Sequence, residues 1–170
     1  ERVSYISTSH FRHAAPEALA ERLADLAPAD LDSVFLVGSG SEGNEAAFKL
    51  AHAYHRARGN PGKHKVVSRW QAYHGSTLGA LAASGNTTRR TPFDPMLPDW
   101  PHVGPAYPYR WGYEGTPEEQ ALAAARELET TIRQEGPGTV AAFVAEPVGG
   151  ASIPAARPHP AYYEEVRRIC

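Results

Sequence analysis

The sequence is poor in cysteine and in long apolar runs, and it has no strong excess of either charge. Its single cysteine, Cys170, excludes an internal disulfide framework and makes a reducing compartment, the cytoplasm, the expected location. No apolar run approaches the roughly 18 residues of a membrane span, and no segment resembles a signal peptide. The net charge of −2 is unlike that of a basic nucleic-acid binder. We therefore expect neither a nucleic acid nor a membrane as a partner.

Lysine is scarce as well. The 17 basic residues include only three lysines, Lys49, Lys63 and Lys65, and the others are arginines. Otherwise the composition, with 42% hydrophobic and 21% charged residues, is that of an ordinary globular chain, and 170 residues are enough to bury one core. The chain begins at Glu1 and stops at Cys170 inside a predicted helix, so we expect it to be part of a longer protein.

Alternating apolar patterns predict an α/β fold. Short apolar runs predict strands at residues 33–37, 65–68 and 139–145; helical spacing predicts helices at residues 16–27, 45–58 and 78–83, after the capping box at 116–119, and around Tyr162, Val166 and Ile169. This alternation is typical of a three-layer sandwich with a mainly parallel sheet, and the first two strands with their helix form a βαβ unit. Residues 85–115 are predicted to be a long loop, either functional or packed on a partner, or pinned to the surface by its own aromatic side chains.

Ligands of open α/β sheets bind at the carboxyl ends of the strands, so the residues after each predicted strand are candidate site residues. After the first strand, Gly40 and Ser41 lie at a helix N-terminus, where backbone N–H groups and the positive end of the helix dipole favour a phosphate. The alternative is an ordinary glycine turn with a serine cap.

The other two strand ends carry weaker signals. Tyr73 and His74 precede Gly75, so an aromatic ring and an imidazole face one crevice, where a planar cofactor could stack. The alternative is packing combined with a helix cap. Glu146 follows the third strand directly before Pro147 and places a carboxylate at the rim of the sheet, where solvated carboxylates are also common.

Two further groups of residues favour simpler interpretations. His52 and His55 lie at i, i+3 on one helix, but no third ligand is spaced to join them, so we expect no metal site. The pair Arg89 and Arg90 in the long loop could meet an anion, although a solvated surface is the favoured interpretation.

A dinucleotide-binding domain is a competing interpretation of the glycine loop. The spacing Gly38-x-Gly40-x-x-Gly43 after a predicted strand matches the dinucleotide fingerprint. Arg69 then lies at the end of the second predicted strand, where a 2′-phosphate of NADP could be bound.

Three runs in order are more specific than that spacing alone. They are Gly-Ser-Gly-Ser-Glu-Gly-Asn-Glu-Ala-Ala-Phe-Lys-Leu-Ala at residues 38–51, Tyr-His-Gly-Ser-Thr at 73–77 and Ala-Glu-Pro-Val-Gly-Gly at 145–150. Together they resemble a class III aminotransferase, a pyridoxal-phosphate enzyme of fold type I. The resemblance implies that residues 1–170 are part of one large cofactor-binding domain with no second domain in the chain. It also implies a homodimer that moves an amino group from an amine or amino acid to a keto acid or aldehyde.

The same resemblance implies roles for the candidate site residues. Gly40 and Ser41 would hold the cofactor phosphate, Tyr73 would stack on the pyridine ring with His74 beside it, and Glu146 would lie near the ring hydroxyl. The lysine that forms the imine and the acidic partner of the pyridine nitrogen are expected beyond Cys170. The chain would therefore contain no catalytic residue and would be inactive by itself. A non-catalytic remnant of the fold and the NADP-binding domain stay open as alternatives.

Overall fold

The computed structural model describes residues 12–28 and 30–170, and the chain divides into two compact units, Glu1–Ser39 and Gly40–Cys170. The first unit contains α1 (Ala14–Leu26), which confirms the first predicted helix. Its N-cap is His13, whose Nδ1 accepts a hydrogen bond from the Ala15 N–H at 3.2 Å. Among the described residues, no helix has the length and hydropathy to cross a bilayer.

The strand predicted for residues 33–37 is wrong. The structure gives these residues no regular secondary structure, and Phe35 is 79% exposed. An apolar run indicates only that side chains seek burial, whereas a strand also requires a neighbour that exchanges backbone hydrogen bonds with it. The βαβ unit expected around this strand is therefore not formed in the described part of the chain.

The second unit confirms the predicted α/β fold with a parallel sheet. Its helices and strands are α2 (Gly40–Ala57), β1 (Lys65–Arg69), α3 (Leu78–Ala83), α4 (Thr87–Arg90), β2 (His102–Val103), α5 (Pro117–Glu135), β3 (Val140–Phe143) and α6 (Pro160–Ile169). The described strands lie in the order β2-β1-β3, and both pairings are parallel. All three carboxyl ends therefore meet at one edge of the sheet.

Helices cover both faces of this sheet. Neighbouring residues of β1 point to opposite faces, and each packs against different helices. Val67 belongs to a buried cluster with α5 and α6 that includes Leu128 and Tyr162. Val66 belongs to a second cluster with Phe48 of α2 and Ala83 of α3. The unit thus has the predicted three layers, helix, sheet and helix.

The predicted capping box opens α5, with Thr116 Oγ1 accepting from the Glu119 N–H at 3.3 Å and the Glu119 carboxylate accepting from the Thr116 N–H at 2.8 Å. The preceding residues 85–115 are more ordered than predicted, because they contain α4, two 3₁₀ turns and β2. Two of their aromatic side chains pin the segment to the unit: Trp100 packs edge-on against Phe48, and Tyr113 donates to the Glu127 carboxylate at 2.7 Å. A two-residue strand is too short to leave an apolar pattern, so sequence analysis missed β2.

Candidate functional site

The ends of β1 and β3 meet through Tyr73 and Glu146, both predicted site residues. Glu146 Oε2 accepts a hydrogen bond from the Tyr73 N–H at 3.2 Å, and Oε1 accepts one from the Gly150 N–H at the same distance. The carboxylate therefore bridges the turn after β1, residues 73–77, which we call the β1 turn, and the loop after β3, residues 147–158, which we call the β3 loop. The solvated rim carboxylate considered from sequence is instead half-buried and bound on both oxygens.

The N-terminus of α2 holds the β1 turn from the other side. Ser41 Oγ accepts from the Ser76 N–H at 3.0 Å, and Asn44 Nδ2 donates to the His74 carbonyl at 2.5 Å. Ser41 thus lies next to the turn that carries Tyr73 and His74, as expected if these residues share one ligand. Gly40 begins the helix, and a Cβ placed there would have no atom within 4 Å.

Gly75 is the position in the β1 turn that admits no other residue. Its φ of +136° lies in a region that side chains disfavour. A Cβ at this position would collide with Ser41 Oγ and would lie 2.9 Å from the Ala80 Cβ. The absence of a side chain therefore lets α2 approach the turn closely, which agrees with the tight turn predicted from the sequence.

Glu45 fixes the start of α3, which follows the β1 turn. Its Oε1 accepts hydrogen bonds from Thr77 Oγ1 at 2.7 Å, from the Gly79 N–H at 2.9 Å and from the Ala80 N–H at 3.2 Å. A carboxylate at this end of a helix also meets the positive end of the backbone dipoles. One side chain of α2 thus caps another helix and anchors the outgoing end of the β1 turn.

His74 is buried, with 7% of its surface exposed, and its Nε2 has no hydrogen-bond partner among residues 12–28 and 30–170. Its backbone N–H donates to Ser84 Oγ at 2.8 Å. Burial lowers the pKa of the imidazole, the Glu146 charge opposes this shift and the Arg69 charge adds to it. The neutral imidazole therefore offers one unused polar nitrogen in the β1 turn.

The Tyr73 ring is partly exposed and lies under the guanidinium of Arg89, whose Cζ is 4.7 Å from the ring centroid. The solvated surface predicted for the arginine pair is wrong for its second member. Arg90 pairs with Asp94 at 2.8 Å and donates to the Ser84 carbonyl at 3.1 Å and to His102 Nε2 at 3.0 Å. The sequence gives no basis for distinguishing these two adjacent arginines, and only their tertiary contacts show that one is bonded within the unit.

The main chain of Glu146 is held by two donors that sequence analysis did not assign to the site. Arg69 Nη2 and the Tyr163 hydroxyl each donate to the Glu146 carbonyl at 2.6 Å. Arg69 is 6% exposed, so its guanidinium is enclosed by this contact. The NADP interpretation therefore finds no support, because it required Arg69 to be available to a 2′-phosphate.

Sequence analysis also missed Asn44, Glu45 and Ser84 as partners of the β1 turn. The helix α2 begins at Gly40, five residues before the start predicted at residue 45, so Ser41, Asn44 and Glu45 are spaced i, i+3 and i+4 on one helix face. The distances from Ser84 and from Tyr163 on α6 to the site are set by tertiary packing, and no local spacing points to them.

The histidines of α2 bind backbone carbonyls. His52 Nδ1 lies 2.6 Å from the Lys63 carbonyl, and His55 Nε2 lies 3.0 Å from the Ala141 carbonyl, so each ring nitrogen donates. These bonds attach α2 to the residues before β1 and to β3. Within residues 12–28 and 30–170, no group of three His, Cys, Asp or Glu side chains is arranged to hold a metal ion.

The arrangement as a whole suits an anionic, planar ligand. A helix N-terminus with an unobstructed glycine and a hydroxyl favours a phosphate, while the Tyr73 ring and the His74 imidazole adjoin it on the β1 turn. Glu146 lies across the sheet edge and is bonded to the Tyr73 N–H. These groups come from three segments that are far apart in sequence.

Comparison with known proteins agrees with this geometry. The chain matches the family described as aminotransferase class-III over residues 1–170. It is 39% identical over 170 residues to the uncharacterized aminotransferase YodT of Bacillus subtilis, covering 100% of this chain and 38% of the relative. It is 36% identical over 151 residues to the putrescine–pyruvate aminotransferase of Pseudomonas aeruginosa, covering 89% and 33%.

A solved structure matches over nearly the whole chain as well. The ω-transaminase of Pseudomonas jessenii in complex with PMP superposes with a TM-score of 0.90 at 37% identity, covering 98% of this chain and 37% of that one. The chain thus spans less than two fifths of the length of these relatives. With the family match over every residue, it belongs to the class III aminotransferase family.

Proposed function

We propose that the protein containing this chain is an aminotransferase that moves an amino group from an amine or amino acid to a keto acid or aldehyde. The observation that carries the proposal is the convergence of Ser41, Tyr73 and Glu146 at the carboxyl edge of a parallel sheet. The cofactor of the family is pyridoxal 5′-phosphate. The name of the Pseudomonas aeruginosa relative, which pairs an amine with a keto acid, supports the substrate class.

The residues present fit the cofactor's phosphate. Gly40 leaves open space at the first residue of α2, so a phosphate oxygen can approach the backbone N–H groups and the positive end of an 18-residue helix. The bond from the Ser76 N–H uses a lone pair of Ser41 Oγ, which leaves the hydroxyl proton for an anion. We assign the phosphate to Gly40 and Ser41.

The pyridine ring is assigned to the β1 turn. When bound, pyridoxal phosphate supplies an aldehyde that captures the amino group and a ring that withdraws electrons from the substrate carbon. The partly exposed Tyr73 ring offers a stacking surface, and His74 beside it has the unpartnered nitrogen described above. Glu146 accepts from the Tyr73 N–H, and we assign it to the side of the ring hydroxyl, where its carboxylate would lie when the cofactor is bound.

The chain's own lysines do not lie at this edge in positions suited to the reaction. Lys63 donates to the Val140 carbonyl at 3.0 Å and Lys65 pairs with Glu135 at 2.6 Å, both at the amino ends of the strands. Lys49 is on the exposed surface of α2. We therefore place the lysine that reacts with the cofactor, and the partner of the pyridine nitrogen, in the part of the protein that follows Cys170.

We also propose that the protein works as a homodimer in the cytoplasm and that residues 1–170 are part of one cofactor-binding domain. Exposed apolar side chains support an interface, among them Tyr109 at 74% exposure and Leu50 at 70%. The single cysteine is consistent with a reducing compartment.

The test is made on the full-length protein. We expect it to bind pyridoxal phosphate and, loaded with it, to transfer an amino group from an added amine to a keto acid, followed by the cofactor's absorbance and by product formation. Ser41→Ala removes one charge-assisted bond to the phosphate, so the dissociation constant should rise about tenfold. Ser33→Ala is the matched control, because Ser33 is exposed and, among the described residues, its hydroxyl bonds only its neighbour Asp32.

Two results would contradict the proposal. One is binding of an NADP analogue without affinity for pyridoxal phosphate. The other is unchanged cofactor affinity in both Ser41→Ala and Tyr73→Ala, which would favour a non-catalytic remnant of the fold.

A further inference from the structure

Arg69 is a buried cation at the sheet edge. It is the last residue of β1, and its side chain lies between the end of that strand, the residues after β3 and α6. Burying a guanidinium is unfavourable unless its donors are satisfied, so the contacts it makes there must offset a large loss of hydration. Those contacts are directed at one atom of the proposed site.

That atom is the Glu146 carbonyl oxygen. It accepts from Arg69 Nη2 and from the Tyr163 hydroxyl, each at 2.6 Å, which uses both of its lone pairs. Arg69 Nη1 also lies 3.4 Å from the Tyr163 oxygen, and its Cζ is 5.6 Å from the centre of the Tyr162 ring. The planar fork is thus held by a carbonyl, a hydroxyl and an aromatic face.

Fixing this carbonyl fixes the direction of the Glu146 side chain. The carboxylate reaches the Tyr73 N–H and the Gly150 N–H at 3.2 Å, longer than the 2.6 Å contacts on the main chain. The shorter, charge-assisted contact restrains the backbone, and the longer bonds follow from where that backbone is placed. A shift of the Glu146 main chain would therefore release the N–H of Tyr73.

We propose that Arg69, together with Tyr163, is a positioning residue that clamps the Glu146 main chain, so that its carboxylate holds Tyr73 in place against the cofactor ring. The inference rests on the proposed function and extends it to residues that do not touch the cofactor. Lysine cannot replace the clamp fully, because its ammonium lacks the fork that reaches both the carbonyl and the Tyr163 oxygen.

The experiment compares Arg69→Met, Arg69→Lys and Tyr163→Phe in the full-length protein, with Arg133→Met as the control. Arg133 is an exposed arginine on α5 that pairs only with Glu129 in the described structure, so its loss removes the same side chain away from the strand ends. For each variant we measure the dissociation constant of pyridoxal phosphate, the visible circular dichroism of the bound cofactor, kcat and KM, and the thermal midpoint.

We expect Arg69→Met to raise the dissociation constant at least tenfold and to reduce the dichroism per bound cofactor, because a loosened Tyr73 no longer holds the ring in one orientation. Arg69→Lys should recover part of both, and Tyr163→Phe should raise the constant about threefold. The loss should be larger in kcat than in KM. Arg133→Met should leave all of these values unchanged.

A purely structural role predicts a different pattern, in which the thermal midpoint falls while affinity and dichroism of the folded fraction match those of the unaltered protein. That pattern in Arg69→Lys and Tyr163→Phe would overturn the inference. Tyr163→Phe keeps the test decisive if Arg69→Met does not fold, because it removes a single hydroxyl. If the unaltered protein itself fails to bind pyridoxal phosphate, the proposed function fails instead.

Discussion

The β1 turn and the β3 loop border the same site but are held in different ways. The turn is bound by side chains from elsewhere in the unit: Ser41, Asn44, Ser84 and Glu146 all bond its backbone. The loop is held mainly by its own backbone, through the bond from the Gly149 N–H to the Ala156 carbonyl at 2.7 Å and a weaker one from Ala156 to Ile153.

This difference indicates where the site is preorganised. A turn with distant partners cannot open without breaking contacts to α2, α3 and the end of β3 together, whereas a loop with local bonds can open by itself. Preorganisation of the proposed stacking surface therefore lies in the β1 turn. The β3 loop is attached to the site chiefly through the Gly150 N–H and through Asn86, which donates to Ser152 Oγ at 3.1 Å.

Gly75→Ala should have the largest effect on this comparison. The new Cβ collides with Ser41 Oγ, and the alanine backbone must keep a φ that side chains disfavour. Together these effects lower the free energy of unfolding by on the order of 4 kcal/mol. Urea unfolding measures this loss, and cofactor affinity should fall with it. Gly112→Ala is the control, because φ there is +81° in open space, and it should cost only about 1 kcal/mol. Equal effects would show that the close approach of α2 contributes nothing.

Acid should act next most strongly, through the imidazoles of His74 in the β1 turn and His102 on β2. Burial and the Arg90 charge lower the pKa of His102 to about 4, and burial also lowers the pKa of His74. Both rings are neutral in folded and unfolded chains above pH 6.5, so their contribution is complete there. For His102, between pH 6.5 and about 4 only the unfolded chain binds the proton, so stability falls as pH falls, by about 3 kcal/mol. The lowered pKa of His74 adds to this loss in the same direction.

The measurement is the free energy of unfolding by urea at a series of pH values. His102→Gln should flatten the slope between pH 6.5 and 4. An unchanged slope in that variant would mean that His102 takes up its proton equally in both states. The β3 loop contains no histidine and contributes nothing to this slope.

Glu45→Ala should have a smaller effect, about 2 kcal/mol, because it leaves two backbone donors and a hydroxyl at the start of α3 without their carboxylate. Hydrogen exchange at the Gly79 and Ala80 amides should quicken in proportion. The matching change in the β3 loop, Ser152→Ala, removes one bond to Asn86 and should cost less than about 0.5 kcal/mol. If Ser152→Ala cost as much as Glu45→Ala, the two regions would be equally well anchored.

The sequence gives a good account of the helices and of the proposed ligand-binding positions. Helical periodicity and the capping box located α1, α2, α5 and α6, because these signals are local. Tyr73, His74 and Glu146 were located from their order after strands that the structure contains, whereas Gly40 and Ser41 were located after a strand that it does not form and lie instead at the start of α2. The roles of these residues toward a cofactor stay predictions. Strands were predicted less well: the strand at residues 33–37 is not formed and β2 was missed. A strand forms only where a neighbouring strand exchanges backbone hydrogen bonds with it, and the apolar run itself does not identify that neighbour.

What the amino-acid sequence determined by itself is the α/β alternation, the glycine-rich start of α2 and the residue types at each strand end. Those depend on backbone conformations and periodicities within a few residues. What only the tertiary structure decided is which distant groups meet: Glu146 with Tyr73, Glu45 with α3, and Arg69 with the Glu146 carbonyl. Sheet order and helix packing bring these partners within 3.2 Å across separations of 34 to 77 residues, and no local pattern encodes such distances.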